Sequence, residues 1–416
     1  MDIKNVKYWN HSSGTKFVLV KDDYAPLVSI DIWFKAGISF EKKGQEGIAH
    51  LLEHMIFKGS NILKPGEFDY KIESLGGTSN ASTGYDDTHY YVLIPPDKLE
   101  ESIFLLTNLV FNPKINITEF ELEKSVVIEE IKQQNDQPEE VLFNYFLERV
   151  WQGHFYGKTI LGREDHIKNI SVKKLKTFHK ERYKPENTCI AIAGDLPNNI
   201  FNILENVQID STISKDNKFK TTNKFNYSIR SSREKISLQN LQLSRLFMAW
   251  EIPSLRDQKS IIGFEILSSL LIDGRNSKLG RPLKEEQNLV ESLYVDIHAG
   301  EFGSLMILEA CFSDINSTLV ESKINQILKD LLELETYTTE ELKKSKRIVR
   351  SNYFFNLETA MQKTSFFGNH FLWDRQDPIG NLEENLIYWT NKKNFRRILA
   401  FLSKKKYTLL AQANLK

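Results

Sequence analysis

One predicted helix reads Gly47-Ile48-Ala49-His50-Leu51-Leu52-Glu53-His54-Met55-Ile56-Phe57 and carries two histidines and a glutamate in the order His-x-x-Glu-His. Because His50 and His54 are four residues apart, they lie on one helical face and can reach the same cation. Glu53 is the neighbour of His54 and can reach a water molecule beside that cation. The pattern therefore predicts a metal site on this helix.

A hydrolytic metal site usually has three protein ligands and an open position for water. A second helix is predicted from Thr118, because Thr118 and Glu121 have the spacing of a capping box. The face of this helix that should be buried carries two valines and two carboxylates, Glu123, Val126, Val127 and Glu130. Buried carboxylates need partners, and the predicted cation is a partner for Glu130. Glu123 lies two turns away, about 10 Å by helix rise, which is too far to bind the same ion.

These residues resemble the pitrilysin-type (insulinase) zinc metallopeptidase family, and in particular its bacterial processing-peptidase-like members. The family has a glutamate ligand downstream of its His-x-x-Glu-His helix, and the spacing of 75 residues between His54 and Glu130 matches it. A second family glutamate precedes the ligand by seven residues, which is Glu123 here. The resemblance extends over residues 44–60, 72–83, 87–91, 183–185 and 191–195, and it is close in the first half of the chain and loose in the second.

The resemblance implies an α+β fold. It consists of two similar α/β-sandwich halves, each a mostly antiparallel sheet packed by helices, which form half of a clamshell. We expect a metal-bearing peptidase domain at 1–209, a polar linker at 210–224 and a degenerate homologous domain at 225–416. The order of predicted elements recurs after the linker, but the helix predicted at 260–271 has no histidine.

The resemblance also implies the chemistry of the first domain. His50, His54 and Glu130 are expected to hold one zinc ion per chain, and zinc is preferred because imidazoles are poor ligands for calcium or magnesium. Glu53 is expected to act as general base in peptide hydrolysis. Glu123 is assigned to the catalytic residues as a supporting side chain beside the ligands.

The substrate is expected to add as an extended strand to a sheet edge near the zinc ion. The matching segment consists of Asn80, Ala81 and Ser82. Backbone pairing does not depend strongly on the side chains of the substrate. We therefore expect an enclosed chamber to select substrates by their length and flexibility. For Asn80, a role as a turn or edge-strand residue is an equally good interpretation.

The second half departs from the family pattern at two positions. The family uses an arginine and, seven residues later, a tyrosine, where this chain has Lys284 and Glu291. The resemblance implies a homodimer, or a heterodimer in which a metal-free homologue supplies the Arg/Tyr pair. Alternatively, Tyr294 substitutes for the tyrosine after a local shift. An alternative function is a structural or peptide-binding subunit of the same fold that has no turnover of its own.

Composition narrows the remaining possibilities. The chain has 416 residues, and its 55 basic and 55 acidic residues cancel, which gives no reason to expect nucleic acid or an anionic membrane as a partner. Cys189 and Cys311 lie in separate apolar runs, so buried free thiols are expected. The N-terminal residues have no apolar signal-peptide core, and a cytoplasmic protein without membrane spans is expected. Surface or capping positions are assigned to His11, His89, His154, His166, His179, His298 and His370.

Overall fold

The structure is a computed structural model that describes residues 5–207, 209, 229–375 and 379–414. The chain divides into two compact units, each with its own sheet. The first unit is formed by the described parts of 1–133, 158–222 and 355–376, and the second by those of 134–157, 223–354 and 377–416. The predicted linker at 210–224 lies outside the described residues, so the domain boundaries at 209 and 225 remain predictions.

The sheet of the first unit contains β1 (Val6–Asn10), β2 (Lys16–Lys21), β3 (Val28–Phe34), β4 (Thr78–Thr83), β5 (Thr88–Ile94) and β6 (Thr188–Gly194). Their order is β1-β2-β6-β3-β5-β4, in which β2 and β6 are parallel and every other pair is antiparallel. Among the described residues, strand β4 pairs only with β5 and is therefore an edge of the sheet.

The helices, in chain order, are α1 (Ile48–Ile56), α2 (Glu67–Ser74), α3 (Leu99–Phe111), α4 (Ile117–Asn135), α5 (Pro138–Val150), α6 (Glu164–Asn169), α7 (Val172–Arg182), α8 (Ile200–Glu205), α9 (Gln258–Ile272), α10 (Ser317–Glu333), α11 (Thr339–Phe355), α12 (Ala360–Leu372), α13 (Leu382–Thr390) and α14 (Lys392–Leu399). Helices α1 to α4 and α6 to α8 contribute to one apolar core with the residues of β3 that point to the same face, such as Ile30 and Ile32.

Helix α12 covers the other face of the same sheet. Its Gly368 lies so close to Trp33 and Ala191 that a Cβ atom would meet side-chain atoms at 2.8 and 2.9 Å. Successive side chains of a strand point to opposite faces, so Trp33 lies on the face that Ile30 and Ile32 leave free. Covering both faces explains why every residue of β3 and β6 is buried.

The sheet of the second unit contains β7 (Ser232–Gln239), β8 (Ser244–Ile252), β9 (Ser292–Ala299), β10 (Ser304–Phe312) and β11 (Lys406–Asn414). The order β7-β11-β8-β10-β9, with β7 and β11 parallel, repeats the order β2-β6-β3-β5-β4 of the first unit. Helix α9 follows β8 as α1 follows β3, and it has no histidine. The predicted α+β fold of two similar halves is therefore confirmed.

Several local predictions can be compared with the structure. The cysteines are free and buried, as expected. The start of α4 was assigned wrongly: the helix begins at Ile117, and the Thr118 amide donates to Oδ1 of Asn116 at 2.8 Å, so Asn116 performs the capping. Val126 is 49% exposed and does not belong to the buried face. Among the described residues, no helix combines the length and apolar character needed to cross a bilayer.

Candidate metal centre

The start of α1 is fixed by backbone geometry and a carboxylate. Gly47 precedes the helix with φ of 93°, and a Cβ atom there would lie 2.5 Å from the carbonyl oxygen of Leu161. The carboxylate of Glu41 accepts hydrogen bonds from the amides of Gly47 and Ala49 at 3.0 to 3.1 Å. Side-chain oxygens at a helix N-terminus satisfy amides that have no partner within the helix. The first turn, which carries His50, is thereby held in place.

Three predicted ligands meet between α1 and α4. Nε2 of His50 lies 3.8 Å from Oε2 of Glu130, and Nε2 of His54 lies 3.7 Å from the same oxygen. One ligand atom from each of the three residues lies within 4.8 Å of the other two. Within the described residues, no other group of three His, Cys, Asp or Glu side chains converges in this way.

The donor set fits zinc. In a tetrahedral site with bonds of about 2.1 Å, two ligand atoms are about 3.4 Å apart, close to the separations of 3.7 and 3.8 Å between the imidazoles and Glu130. Burial, with a smaller effect from the nearby charge of His54, lowers the pKa of His50 to about 4. His50 is therefore neutral at pH 7, which is the form that binds a metal ion.

Glu53 lies on α1 next to these donors and is held by the edge strand. The hydroxyl of Thr83, the last residue of β4, donates to Oε2 of Glu53. Burial raises the pKa of Glu53, and the hydrogen bond from Thr83 partly opposes that rise. A carboxylate with a raised pKa is a stronger base, and therefore a better proton acceptor, than an exposed carboxylate with an ordinary pKa.

Glu123 contacts the ring of His54 at Nδ1, whereas Nε2 of the same ring faces Glu130. Oε2 of Glu123 accepts from Nδ1 of His54 at 3.1 Å, and the Glu123 side chain is only 9% exposed. An acceptor at Nδ1 fixes the tautomer of the imidazole and leaves Nε2 free toward Glu130. Glu123 thus lies beside the three converging donors and is not among them.

The predicted substrate segment occupies the edge strand β4. Asn80 and Ser82 are exposed, and Ala81 is half-buried. The amide of Ala81 donates to Oδ1 of Asn80 at 2.8 Å, so a side chain satisfies a backbone donor of this strand. The segment therefore runs along an edge strand whose last residue, Thr83, binds Glu53.

The assignment of His89 to a surface or capping position was wrong. His89 lies on β5, where its ring stacks on Trp33 with centroids 3.9 Å apart, and its side chain is 16% exposed. Its Nδ1 lies 2.9 Å from the buried carboxylate of Asp31. Burial alone would lower the pKa of His89, but the charge and hydrogen bond of Asp31, together with the charges of Asp87 and Glu53, raise it overall. A signal was present, because an aspartate inside the apolar strand Val28–Phe34 requires a buried partner.

The two residues that depart from the family pattern belong to the second unit. Lys284 is exposed in the helical segment Arg281–Glu286. Glu291 is exposed, and its amide donates to the carbonyl of Cys311 at 2.8 Å. Tyr294 lies on β9 and is 50% exposed.

Known proteins resemble this chain in sequence and in structure. The zinc protease PqqE of Helicobacter pylori is 26% identical over 83% of this chain and 78% of its own length. The human mitochondrial-processing peptidase subunit beta is 26% identical over 89% of this chain and 76% of its own length. The crystal structure of a protease from Helicobacter pylori superposes with a TM-score of 0.84 at 22% identity, covering 98% of this chain and 99% of that one.

Two family models account for most of the sequence. Residues 16–164 match the model described as insulinase (peptidase family M16), and residues 169–349 match the model described as the peptidase M16 inactive domain. The first match contains α1 with its His-x-x-Glu-His sequence, and it also contains Thr83, Glu123 and Glu130. The chain belongs to the insulinase family of peptidases, family M16.

Proposed function

We propose that the chain is a zinc-dependent endopeptidase that hydrolyses extended or unfolded peptides in an enclosed chamber. One observation carries the proposal: His50, His54 and Glu130 converge beside Glu53, which the last residue of an edge strand holds in place. The two histidines and Glu130 would bind one zinc ion per chain. When bound, zinc supplies Lewis-acid chemistry that activates water and polarises a carbonyl group at neutral pH.

Glu53 is the proton carrier in this proposal. Its carboxylate would take a proton from water and pass it to the leaving amine of the cleaved peptide bond. The bond from Thr83 fixes Oε2 and leaves the other oxygen for the proton. Glu123 would keep the His54 ring in the orientation that presents Nε2 to the metal.

Strand β4 would bind the substrate by strand addition. An incoming peptide would pair with the backbone of Asn80, Ala81 and Ser82 at the free edge of the sheet. A peptide that accepts a bond from the Ala81 amide would replace the Oδ1 of Asn80 there. Only an extended segment can form such pairs, which supports unfolded peptides as the substrate class.

A second candidate is a structural or peptide-binding subunit that needs a partner for turnover. The residues that favour it are Lys284 and Glu291, which stand where the family has an arginine and a tyrosine. A metal-free homologue would supply this pair, whereas a second copy of the chain, which has the same Lys284 and Glu291, would not. The human relative is itself named as a subunit, which supports a partner of this kind.

Zinc content and cleavage of an unstructured fluorogenic peptide test the proposal together. The wild-type chain, alone or mixed with a metal-free homologue, should contain one zinc ion and cleave the peptide. The variant Glu53→Gln should keep the zinc and lose about 10²- to 10⁴-fold in rate. Glu73→Gln, at an exposed position of α2, is the matched control and should match wild type. Zinc without cleavage in both settings would favour the binding subunit.

A further inference from the structure

The carboxylate of Glu123 binds two groups from the C-terminal end of α1, one with each oxygen. Its Oε2 contacts Nδ1 of His54 at 3.1 Å, and its Oε1 contacts Nζ of Lys58 at 2.6 Å. The side chain of Glu123 is 9% exposed, and that of Lys58 is 31% exposed. Lys58 therefore binds the same carboxylate that orients a predicted zinc ligand.

The backbone around Lys58 forms a constrained turn after α1. The Lys58 amide donates to the carbonyl of Met55 at 3.2 Å, immediately after the end of α1. Gly59 follows with φ of 105°, and a Cβ atom there would lie 2.5 Å from the carbonyl oxygen of Leu63. The carbonyl of Gly59 accepts from the amide of Lys114 at 2.9 Å. This turn leaves little freedom at the base of the lysine side chain.

We propose that Lys58 is a positioning residue of the metal centre, acting through Glu123 on His54. This inference rests on the proposed zinc site. A carboxylate held at one oxygen only can rotate and exchange its two oxygens. With Oε1 held by Lys58, Oε2 stays on Nδ1–H of His54, and the imidazole keeps its Nε2 directed at Glu130.

If the salt bridge between Lys58 and Glu123 supported only the fold, loss of Lys58 would change stability and not zinc binding. Lys–Glu pairs at the surface contribute little to stability. The contact between Lys58 and Glu123 differs because the carboxylate is nearly buried and its second oxygen binds His54. Loss of Lys58 should therefore weaken zinc binding specifically, and only while Glu123 is present to transmit the effect.

Zinc affinity of the full chain, measured by competition with a chromophoric chelator, tests the inference without relying on activity. Lys58→Met should bind zinc about ten-fold more weakly than wild type, the lower end for loss of an outer partner of a metal ligand. Lys58→Arg, which keeps the cation, should restore most of the affinity. Lys71→Met is the matched control, because Lys71 pairs with Glu67 at 3.4 Å on α2, and it should bind zinc like wild type.

A double-mutant cycle with Glu123→Gln shows whether the effect passes through Glu123. In that background Lys58→Met should change zinc affinity by less than about two-fold, because coupled residues are not additive. The inference is overturned if Lys58→Met binds zinc as tightly as wild type, or if its effect is equally large in the Glu123→Gln background. In either case a wild-type chain that binds zinc and cleaves peptide leaves the proposed function intact. A wild-type chain that binds no zinc overturns both.

Discussion

Replacing Thr83 by valine should change the pH dependence of peptide cleavage. The hydroxyl of Thr83 donates to Glu53, and this bond lowers the pKa of Glu53 against the larger effect of burial, which raises it. Valine has a similar shape and cannot donate. Thr88, which also contacts the Thr83 hydroxyl, keeps its bond to the carbonyl of Ala36 at 3.1 Å, so the substitution leaves Thr88 with a partner.

The sign and the size of the change follow from the role of Glu53. Glu53 must be ionised to accept a proton, so activity falls as the pH drops through its pKa. Without Thr83 the pKa rises further, and the fall begins at a higher pH. A hydrogen bond to a charged group is worth about 1.5–3 kcal/mol. Since a tenfold change in a protonation equilibrium is about 1.4 kcal/mol, the acid limb should move up by about one to two pH units.

The assay is kcat/KM for a fluorogenic peptide as a function of pH, with zinc content measured in parallel. On the acid limb Thr83→Val should be about ten- to a hundred-fold slower than wild type, and above the limb the two should converge. Thr78→Val, at the exposed other end of β4, is the control and should follow the wild-type profile. An acid limb that does not move in Thr83→Val, at unchanged zinc content, would refute the role given to Glu53.

Three further predictions concern the edge strand, the start of the metal helix and the thiols. Ala81→Pro should fold, because an edge strand tolerates proline, but kcat/KM should fall about three- to ten-fold through loss of one backbone donor to the peptide; an unchanged kcat/KM would contradict strand addition at Ala81. Gly47→Ala should lower the free energy of unfolding by more than about 1 kcal/mol in a denaturant titration, and by more than Gly44→Ala, where a Cβ atom meets nothing within 4 Å; equal losses would contradict the close contact at Gly47. Cys189 should react with a thiol reagent only in denaturant, because burial raises the pKa of its thiol; rapid labelling of the native chain would contradict its burial.

The periodicity of helices explains why the predicted ligands could be identified from the sequence. His50 and His54 are neighbours on any helix with 3.6 residues per turn, so their proximity needs no tertiary information. The two carboxylates of α4 stood out because charge on a face predicted to be buried requires a partner. In the structure Glu123 is buried, whereas the side chain of Glu130 is 41% exposed. The types of α1 and β5 were also predictable, because both have strong apolar patterns.

Contacts between elements distant in sequence could not be predicted in the same way. The bond from Thr83 to Glu53 joins a strand to a helix, and the contact between Lys58 and Glu123 depends on how α1 and α4 pack. The packing of α12 on the sheet of the first unit joins segments more than 100 residues apart, and no local pattern encodes it. The partner of Asp31 was missed because a buried aspartate indicates that a partner exists without indicating which residue it is.

The second unit has the same strand order as the first, but its α9 lacks the histidines that a metal site of this kind requires. Its strands repeat the order of the first unit, and α9 takes the position of α1 in the chain order. Where α1 has His50, Glu53 and His54, α9 is an apolar helix without any histidine. The chemistry proposed here therefore depends on a few side chains placed on a repeated scaffold.

The most direct test of the zinc site is anomalous diffraction at the zinc absorption edge from crystals of the wild-type chain. We expect a single peak among Nε2 of His50, Nε2 of His54 and the carboxylate of Glu130, and no peak there in Glu130→Ala. A zinc peak at other side chains, or no peak in crystals grown with zinc, would contradict it.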